Sequence, residues 1–318
     1  MSINFRFAKI LAFYTNAFRR RPLVLNIEMT HLCNLECAYC GRVRDNVKGT
    51  LSAGKVRAAI DEVKAPIVYF TGGEPLLYSD ELCELANYSL DKNKLVITVT
   101  NGILLPRVIK DFRIKDKEHF VFMFSIDGLE EEHEKIRGKG NFKKMVEAIM
   151  VARQHGFNNI WANFTIYKEN MKDIEGVVEY FSPIFDRIHF NLGYNFLNTA
   201  YDFGAEIGKI ADRARILKKT SNKIMNFYQY FEFWKHDHLH CTPWGTVTLD
   251  PQGWRSPCYF VDHGHYAKFK ELMEKTDWAF FETRSAPECK FCRAHCGFEP
   301  SIASNKKLLI REILHRIF

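Results

Sequence analysis

Short apolar runs, dense in β-branched and aromatic residues, alternate with longer stretches of helical period as far as residue 200. Leu23–Ile27, Ile67–Phe70, Leu95–Thr100, Phe120–Ile126, Ile160–Ile166 and Arg187–Leu192 read as strands. Ser52–Val63, Asp80–Leu90, Leu104–Lys110, Phe142–His155 and Asp173–Phe181 read as helices, with Ser52 and Asp173 placed as N-caps. The spacing is close to the ~30 residues of a βαβ unit, which predicts parallel strands and right-handed crossovers. Periodicity does not separate an open doubly wound sheet from a barrel, but either puts chemistry at the C-terminal strand ends. Beyond residue 200 a helical segment (about Ala205–Lys235) leads into a Cys-, His-, Trp- and Gly-containing stretch with little period. It is expected to form a small appended domain, held by something other than a large core.

Composition narrows the class. The 318 residues are 47% hydrophobic and 26% charged, which excludes a disordered chain. The net charge of +7 is unevenly placed: residues 1–21 carry +5, residues 305–318 carry +3, and the body between them is −1. That argues against a nucleic-acid groove across the fold and for two local basic devices. No run of 18 apolar residues and no secretory signal is visible, so a cytoplasmic protein is expected. Nine cysteines, an odd number in uneven groups, speak against a disulfide framework and for reduced, metal-binding thiols.

The first group, Cys33-Asn-Leu-Glu-Cys37-Ala-Tyr-Cys40, directly follows the first strand. Three thiolates on one loop can bind three irons of a 4Fe–4S cluster, leaving the fourth iron open. A zinc knuckle is the competing reading, but zinc prefers four ligands in paired spacings and no fourth lies nearby. This CxxxCxxC run resembles the signature of radical S-adenosylmethionine (SAM) enzymes. The resemblance continues through Thr71-Gly-Gly-Glu-Pro75, Thr100-Asn-Gly102 and Ser125-Ile-Asp-Gly128. It implies an α/β fold, a partial (β/α)6 barrel over residues 22–200 with a small Cys-rich C-terminal extension. The open iron would chelate SAM, and an electron from the cluster would cleave the C5′–S bond to a 5′-deoxyadenosyl radical.

By the same resemblance, Gly72 and Gly73 offer carbonyls to the methionine ammonium and Glu74 adds negative charge. Asn101 belongs to the same cofactor-binding set. Ser125 and Asp127 bind the ribose or the methionine carboxylate, Arg137 pairs with that carboxylate, and Tyr39 lies near the adenine. Asn163 either faces the cofactor or is a satisfied core amide. Met123, Phe124 and Cys83 read as core.

The second group, Cys241, Cys258, Cys289, Cys292 and Cys296, resembles in its first half the SPASM/twitch appendages that hold auxiliary iron–sulfur clusters. Cys241, Cys258, Cys289 and Cys292 are the expected ligands. A zinc site recruiting His263, His265 or His295 is the alternative, and a free thiol donating hydrogen to a product radical is a third. Cys241-Thr-Pro-Trp-Gly245, Gly253-Trp-Arg-Ser-Pro-Cys258-Tyr259, Thr276-Asp-Trp278 and Cys292-Arg-Ala-His-Cys-Gly-Phe-Glu299 look like the tail of adenosylhopene transferases. That family adds the deoxyadenosyl radical to the alkene of an isoprenoid lipid.

The leading expectation is therefore an adenosyl transferase acting on a hopene-like lipid, with a flavodoxin or ferredoxin as reductant. The alternative is a peptide or protein maturase that abstracts hydrogen with help from an auxiliary cluster; no leader-binding domain is evident at either end. Apolar stripes at Phe7, Ile10, Leu11, Tyr14 and Phe18, and at Ile310, Ile313, Leu314 and Ile317, flank basic residues. Such helices lie on an anionic bilayer surface or pack on the barrel, and a lipid substrate favours the inner membrane face.

Overall fold

The computed structural model describes residues 15–40, 49–195, 199–200, 203–236, 240–290 and 292–317. Six parallel strands run in sequence order: β1 (Val24–Thr30), β2 (Ile67–Gly72), β3 (Leu95–Thr100), β4 (Phe120–Ile126), β5 (Ile160–Ile166) and β6 (Arg187–Leu192). Between them lie α1 (Ala53–Val63), α2 (Ser79–Asp91), α3 (Leu105–Val108), α4 (Glu130–Arg137), α5 (Asn141–Gln154) and α6 (Ile174–Phe181). Ser52 caps α1, its hydroxyl accepting from Lys55 N at 3.5 Å. Asp173 stands at the N-cap of α6 but makes no side-chain cap bond.

The two faces of each strand bury into different places, as a period of two requires. On β4, Phe120, Phe122, Phe124 and Ile126 enter the main core beneath the helices. Their neighbours Val121 and Met123 turn the other way and join Ile97 in a separate apolar cluster with Tyr69 and Trp161. That second cluster lines the barrel interior, so Met123 is a lumen residue, not a core one.

The region after residue 200 differs from expectation. Its helical segment is two helices, α7 (Glu206–Thr220) and α8 (Tyr228–Lys235). A two-residue ribbon, β7 (Tyr194–Asn195) with β8 (Thr199–Ala200), precedes them. The cysteine-rich stretch is no detached appendage: β9 (Thr246–Asp250) pairs parallel with β1, Val24 opposite Thr246 and Asn26 opposite Thr248. β10 (Gly253–Pro257) and β11 (Asp262–Tyr266) follow antiparallel, giving a nine-stranded sheet. A buried ion cluster fastens the addition, because Arg255 of β10 bonds Glu28 of β1 (3.0 Å) and Asp250 of β9. Both acids accept from one guanidinium, which offsets one of their two charges, and His265 lies 2.8 Å from Asp250.

Four helices complete the chain: α9 (Phe269–Lys275), α10 (Trp278–Glu282), α11 (His295–Ser304) and α12 (Lys306–Ile317). α11 bridges the open side of the barrel. Its Glu299 lies 3.5 Å from His189 on β6, while Pro300 packs on Gly245 at the entry to β9. On α12 Ile310 and Leu314 are exposed, as an amphipathic helix with a free face would leave them. The stripe at residues 7–14 lies outside the described residues, as do the side chains of Ile313 and Ile317. Among the described residues no helix is long and apolar enough to cross a membrane.

Candidate active site at the barrel mouth

Cys33, Cys37 and Cys40 leave β1 on one loop, half-buried and outside any disulfide. The loop is held from two sides. Gly73 N donates to Thr30 O (2.6 Å) and Glu74 N to Leu32 O (2.8 Å), while Ala38 N donates to Ile136 O of α4 (2.9 Å). This approach explains both glycines. Gly72 sits at φ +124°, and a Cβ on Gly73 would fall 1.9 Å from Leu32 O. The backbone amides of Gly73 and Glu74 serve the cysteine loop, a role that the reading in terms of ammonium-binding carbonyls did not contain.

Glu74 is buried and its carboxylate is committed to the scaffold. Oε1 accepts from Leu76 N (3.1 Å) and Thr100 Oγ1 (2.7 Å), and Oε2 accepts from Asn101 N (2.9 Å). Burial raises its pKa, and these bonds pull it back. Glu74 therefore pins the Thr100-Asn-Gly102 turn instead of standing free as a bare negative charge. Asn101 Nδ2 donates onward to Asn34 Oδ1 (2.9 Å) and lies 3.9 Å from Cys33 Sγ.

Asp127 at the exit of β4 is fully buried and paired with Arg137 of α4. Burial raises the Asp127 pKa, with Arg137 opposing. Arg137 stays cationic despite its own burial because Asp127 faces it. Asp127 Oδ1 is buried without a hydrogen-bond partner among the described residues, a polar atom left for a ligand. Arg137, expected to meet a carboxylate on the ligand, thus arrives already paired. Tyr39 stacks on Tyr167 with ring centroids 4.3 Å apart. Ser125 and Asn163 are register partners on β4 and β5.

All these groups line one cavity of about 500 Å³, which continues past them to Ile67, Tyr69, Leu95, Ile97, Met123 and Trp161. The donor set suits an iron–sulfur cluster: three free thiols converge on one rim. Burial pushes Cys33 up to about 11, and Cys37 also upward against Arg137, so both gain from cationic iron.

The structure adds residues that the sequence reading missed. His189 and Asn191 of β6 and Glu299 of α11 also line the cavity. Alternation of Arg187, His189 and Asn191 with Ile188, Phe190 and Leu192 was the available signal for an inward polar face. Asn163 lines the cavity, where its Oδ1 accepts from Asn191 Nδ2.

The five C-terminal cysteines also converge. Burial drives the thiols of Cys241 and Cys296 well up, Cys258 to about 11 and Cys289 to about 12. Repulsion from Cys292 adds to the rise at each of the four, so the five thiols lie near one another. Among the described residues no three of these sulfurs lie within 4.8 Å of one another. A tetrahedral zinc with Zn–S about 2.3 Å would need sulfurs about 3.8 Å apart. The histidines considered for zinc are engaged elsewhere: His263 with Glu288 (3.3 Å), His265 with Asp250 (2.8 Å) and His295 against the His189 ring. Cys296 alone of the five lines the central cavity.

Fold and site together are similar to those of radical SAM enzymes. Residues 27–181 match the radical SAM superfamily, and residues 198–315 match a domain of unknown function, DUF3463. Fe-coproporphyrin III synthase of Methanosarcina barkeri is 31% identical over 166 residues, 50% of this chain and 41% of that protein. Mycofactocin maturase MftC of Mycobacterium tuberculosis is 30% identical over 162 residues, 48% of this chain and 40% of its own. The chain spans less than half the length of these two relatives. Native anSMEcpe with bound AdoMet and Cp18Cys peptide shares the fold at TM-score 0.60 and 19% identity, covering 92% of this chain and 95% of that one.

Proposed function

We propose that this chain binds SAM at the three-cysteine rim and directs radical chemistry at a substrate held in the lumen below. The observation that carries this is the single cavity joining Cys33, Cys37 and Cys40 to the apolar wall of Tyr69, Met123 and Trp161. Those cysteines would hold a 4Fe–4S cluster, which when bound supplies the electron that splits SAM to methionine and a 5′-deoxyadenosyl radical. Gly73 and Glu74 fix the loop and the neighbouring turn, so the rim is preorganised. Asp127 and Arg137 present a buried carboxylate and guanidinium to the polar part of SAM, and Tyr39 offers an aromatic face for its adenine. The apolar wall keeps water from the radical. Cys241, Cys258, Cys289 and Cys292 would hold an auxiliary cluster.

Two fates of the radical are supported by different observations. The mycofactocin maturase relative and the peptide-bound structural neighbour favour hydrogen abstraction in peptide or protein maturation. The apolar lumen is what supports addition to an isoprenoid alkene, the adenosylhopene transferase reading. Anaerobic turnover with SAM and reductant separates them: free 5′-deoxyadenosine with a modified peptide supports the first, and adenosine covalently on a lipid supports the second. Absence of SAM cleavage under strong reductant contradicts both.

A further inference from the structure

Tyr167 is the first residue after β5, and its side chain is buried. Its ring lies nearly parallel to that of Tyr39, with centroids 4.3 Å apart and 18° between the planes. Both residues line the central cavity. Tyr39 stands between Cys37 and Cys40 in the chain, and Tyr167 reaches the same corner of the site. Burial holds its phenol neutral, and nearby Asp127, Cys37 and Cys40 push in the same direction against Arg137.

Two devices fix the Tyr167 ring. The first acts on its backbone: Tyr167 N donates to Asn170 Oδ1 (2.7 Å), and Met171 N donates to Tyr167 O (2.9 Å). Asn170 is fully buried, and its Nδ2 donates to Asp127 O (2.7 Å) and Thr165 O (2.9 Å), which ties Tyr167 to the Asp127 turn. The second is Gly193, just after β6. Its φ is not positive, so no backbone conformation calls for a glycine there. Space does: a Cβ would fall 2.2 Å from Tyr167 Cδ1, 2.3 Å from Cε1 and 3.0 Å from Cγ. Gly193 N donates to Ile166 O at 2.7 Å, which holds this glycine close against the ring. With the backbone bonded on both sides, an added methyl must turn the ring away from Tyr39.

We propose that Tyr167 is a positioning residue that holds the Tyr39 ring as the seat of the SAM adenine, and that Gly193 is the residue that lets this stacked pair form. The inference deepens the proposed function and rests on its placing SAM at the three-cysteine rim. A tyrosine alone on a loop must give up rotamer freedom when a base stacks on it, whereas a ring already stacked has given it up beforehand. Parallel aromatic rings at this separation also attract one another, so the pair is preorganised.

The test titrates iron-loaded, dithionite-reduced protein with two probes and follows the cluster's EPR signal. S-adenosylhomocysteine carries the adenine but no sulfonium to cleave, and methionine carries the amino-carboxylate alone. Tyr167→Ala and Gly193→Ala are each expected to weaken S-adenosylhomocysteine about tenfold, the worth of one base–aromatic stack, while methionine affinity and iron content stay at the parent's values. Tyr167→Phe keeps the stack and is expected to keep the parent's affinity. Adding Gly193→Ala to Tyr167→Ala should cost nothing further, since the ring through which Gly193 acts is gone. Unchanged S-adenosylhomocysteine affinity in Tyr167→Ala overturns the proposal. So does an equal loss of methionine, which would make the fault one of the cysteine rim, or a Tyr167→Phe variant as weak as Tyr167→Ala, which would assign the effect to the hydroxyl. SAM cleavage by the parent, measured beside these titrations, keeps the two readings apart. The expected affinities without cleavage leave this inference standing and contradict the proposed function; cleavage with unchanged affinities does the reverse.

Discussion

Replacing Gly73 by alanine tests whether the β2 exit organises the cysteine loop. The new methyl would fall 1.9 Å from Leu32 O, 2.4 Å from Leu32 C and 3.0 Å from His31 C. All three are backbone atoms, so no side-chain rotation relieves the clash and the loop must lift by more than an ångström. That movement breaks the bonds from Gly73 N to Thr30 O and from Glu74 N to Leu32 O. Two lost hydrogen bonds at ~1 kcal/mol each and ~1–3 kcal/mol of overpacking give about 3–5 kcal/mol. A domain stable by ~5–15 kcal/mol survives this, so the variant is expected to fold with a displaced rim. Melting should drop on the order of 5–15 °C, and reconstituted iron should fall by about four per chain, matching Cys37→Ala. Gly54→Ala is the control, since a Cβ there meets nothing within 4 Å. Gly73→Ala with full iron and unchanged melting refutes the reasoning.

Asp127→Asn leaves Arg137 buried without its anion and should cost about 3–5 kcal/mol in denaturant titration; adding Arg137→Met should recover most of the stability but not SAM binding. A single variant as stable as the parent would show that the pair is not a buried charge pair. His133, lowered to about 3 by burial and Arg137, is neutral in the fold. Its unfolded form protonates near pH 6.5, so its stabilising term is complete above that value and is lost as pH falls toward 3. Acidification from pH 7 to pH 5 should therefore narrow the melting gap between the parent and His133→Gln. Anionic liposome flotation should recover the full chain and lose it when residues 1–20 are removed, if the basic stripe binds a bilayer. Equal partitioning of both forms into the soluble fraction would contradict that role.

The apolar runs located β3 to β6 at the observed bounds because those strands turn one face into the core and the other, buried or half-buried, into the lumen. α4 escaped notice because Glu130–Arg137 shows only His133 and Ile136 as buried positions, too few for a helical stripe. The pairing of β9 with β1 joins residues more than 200 positions apart, and no local pattern encodes such a partner. That Cys33, Cys37 and Cys40 share one loop at the exit of β1 was legible because they lie within eight residues of one another directly after a strand. The Asn191–His189–Glu299 wall was not, since β6 and α11 meet only in the folded chain.

The central claim is that the three-cysteine rim performs reductive SAM cleavage. Anaerobically reconstituted protein incubated with SAM and dithionite should release 5′-deoxyadenosine, or an adenosylated product, with methionine in equal amount. Cys37→Ala, assayed beside it, should release neither. Cleavage undiminished in Cys37→Ala, or none in the fully iron-loaded parent, would contradict the account.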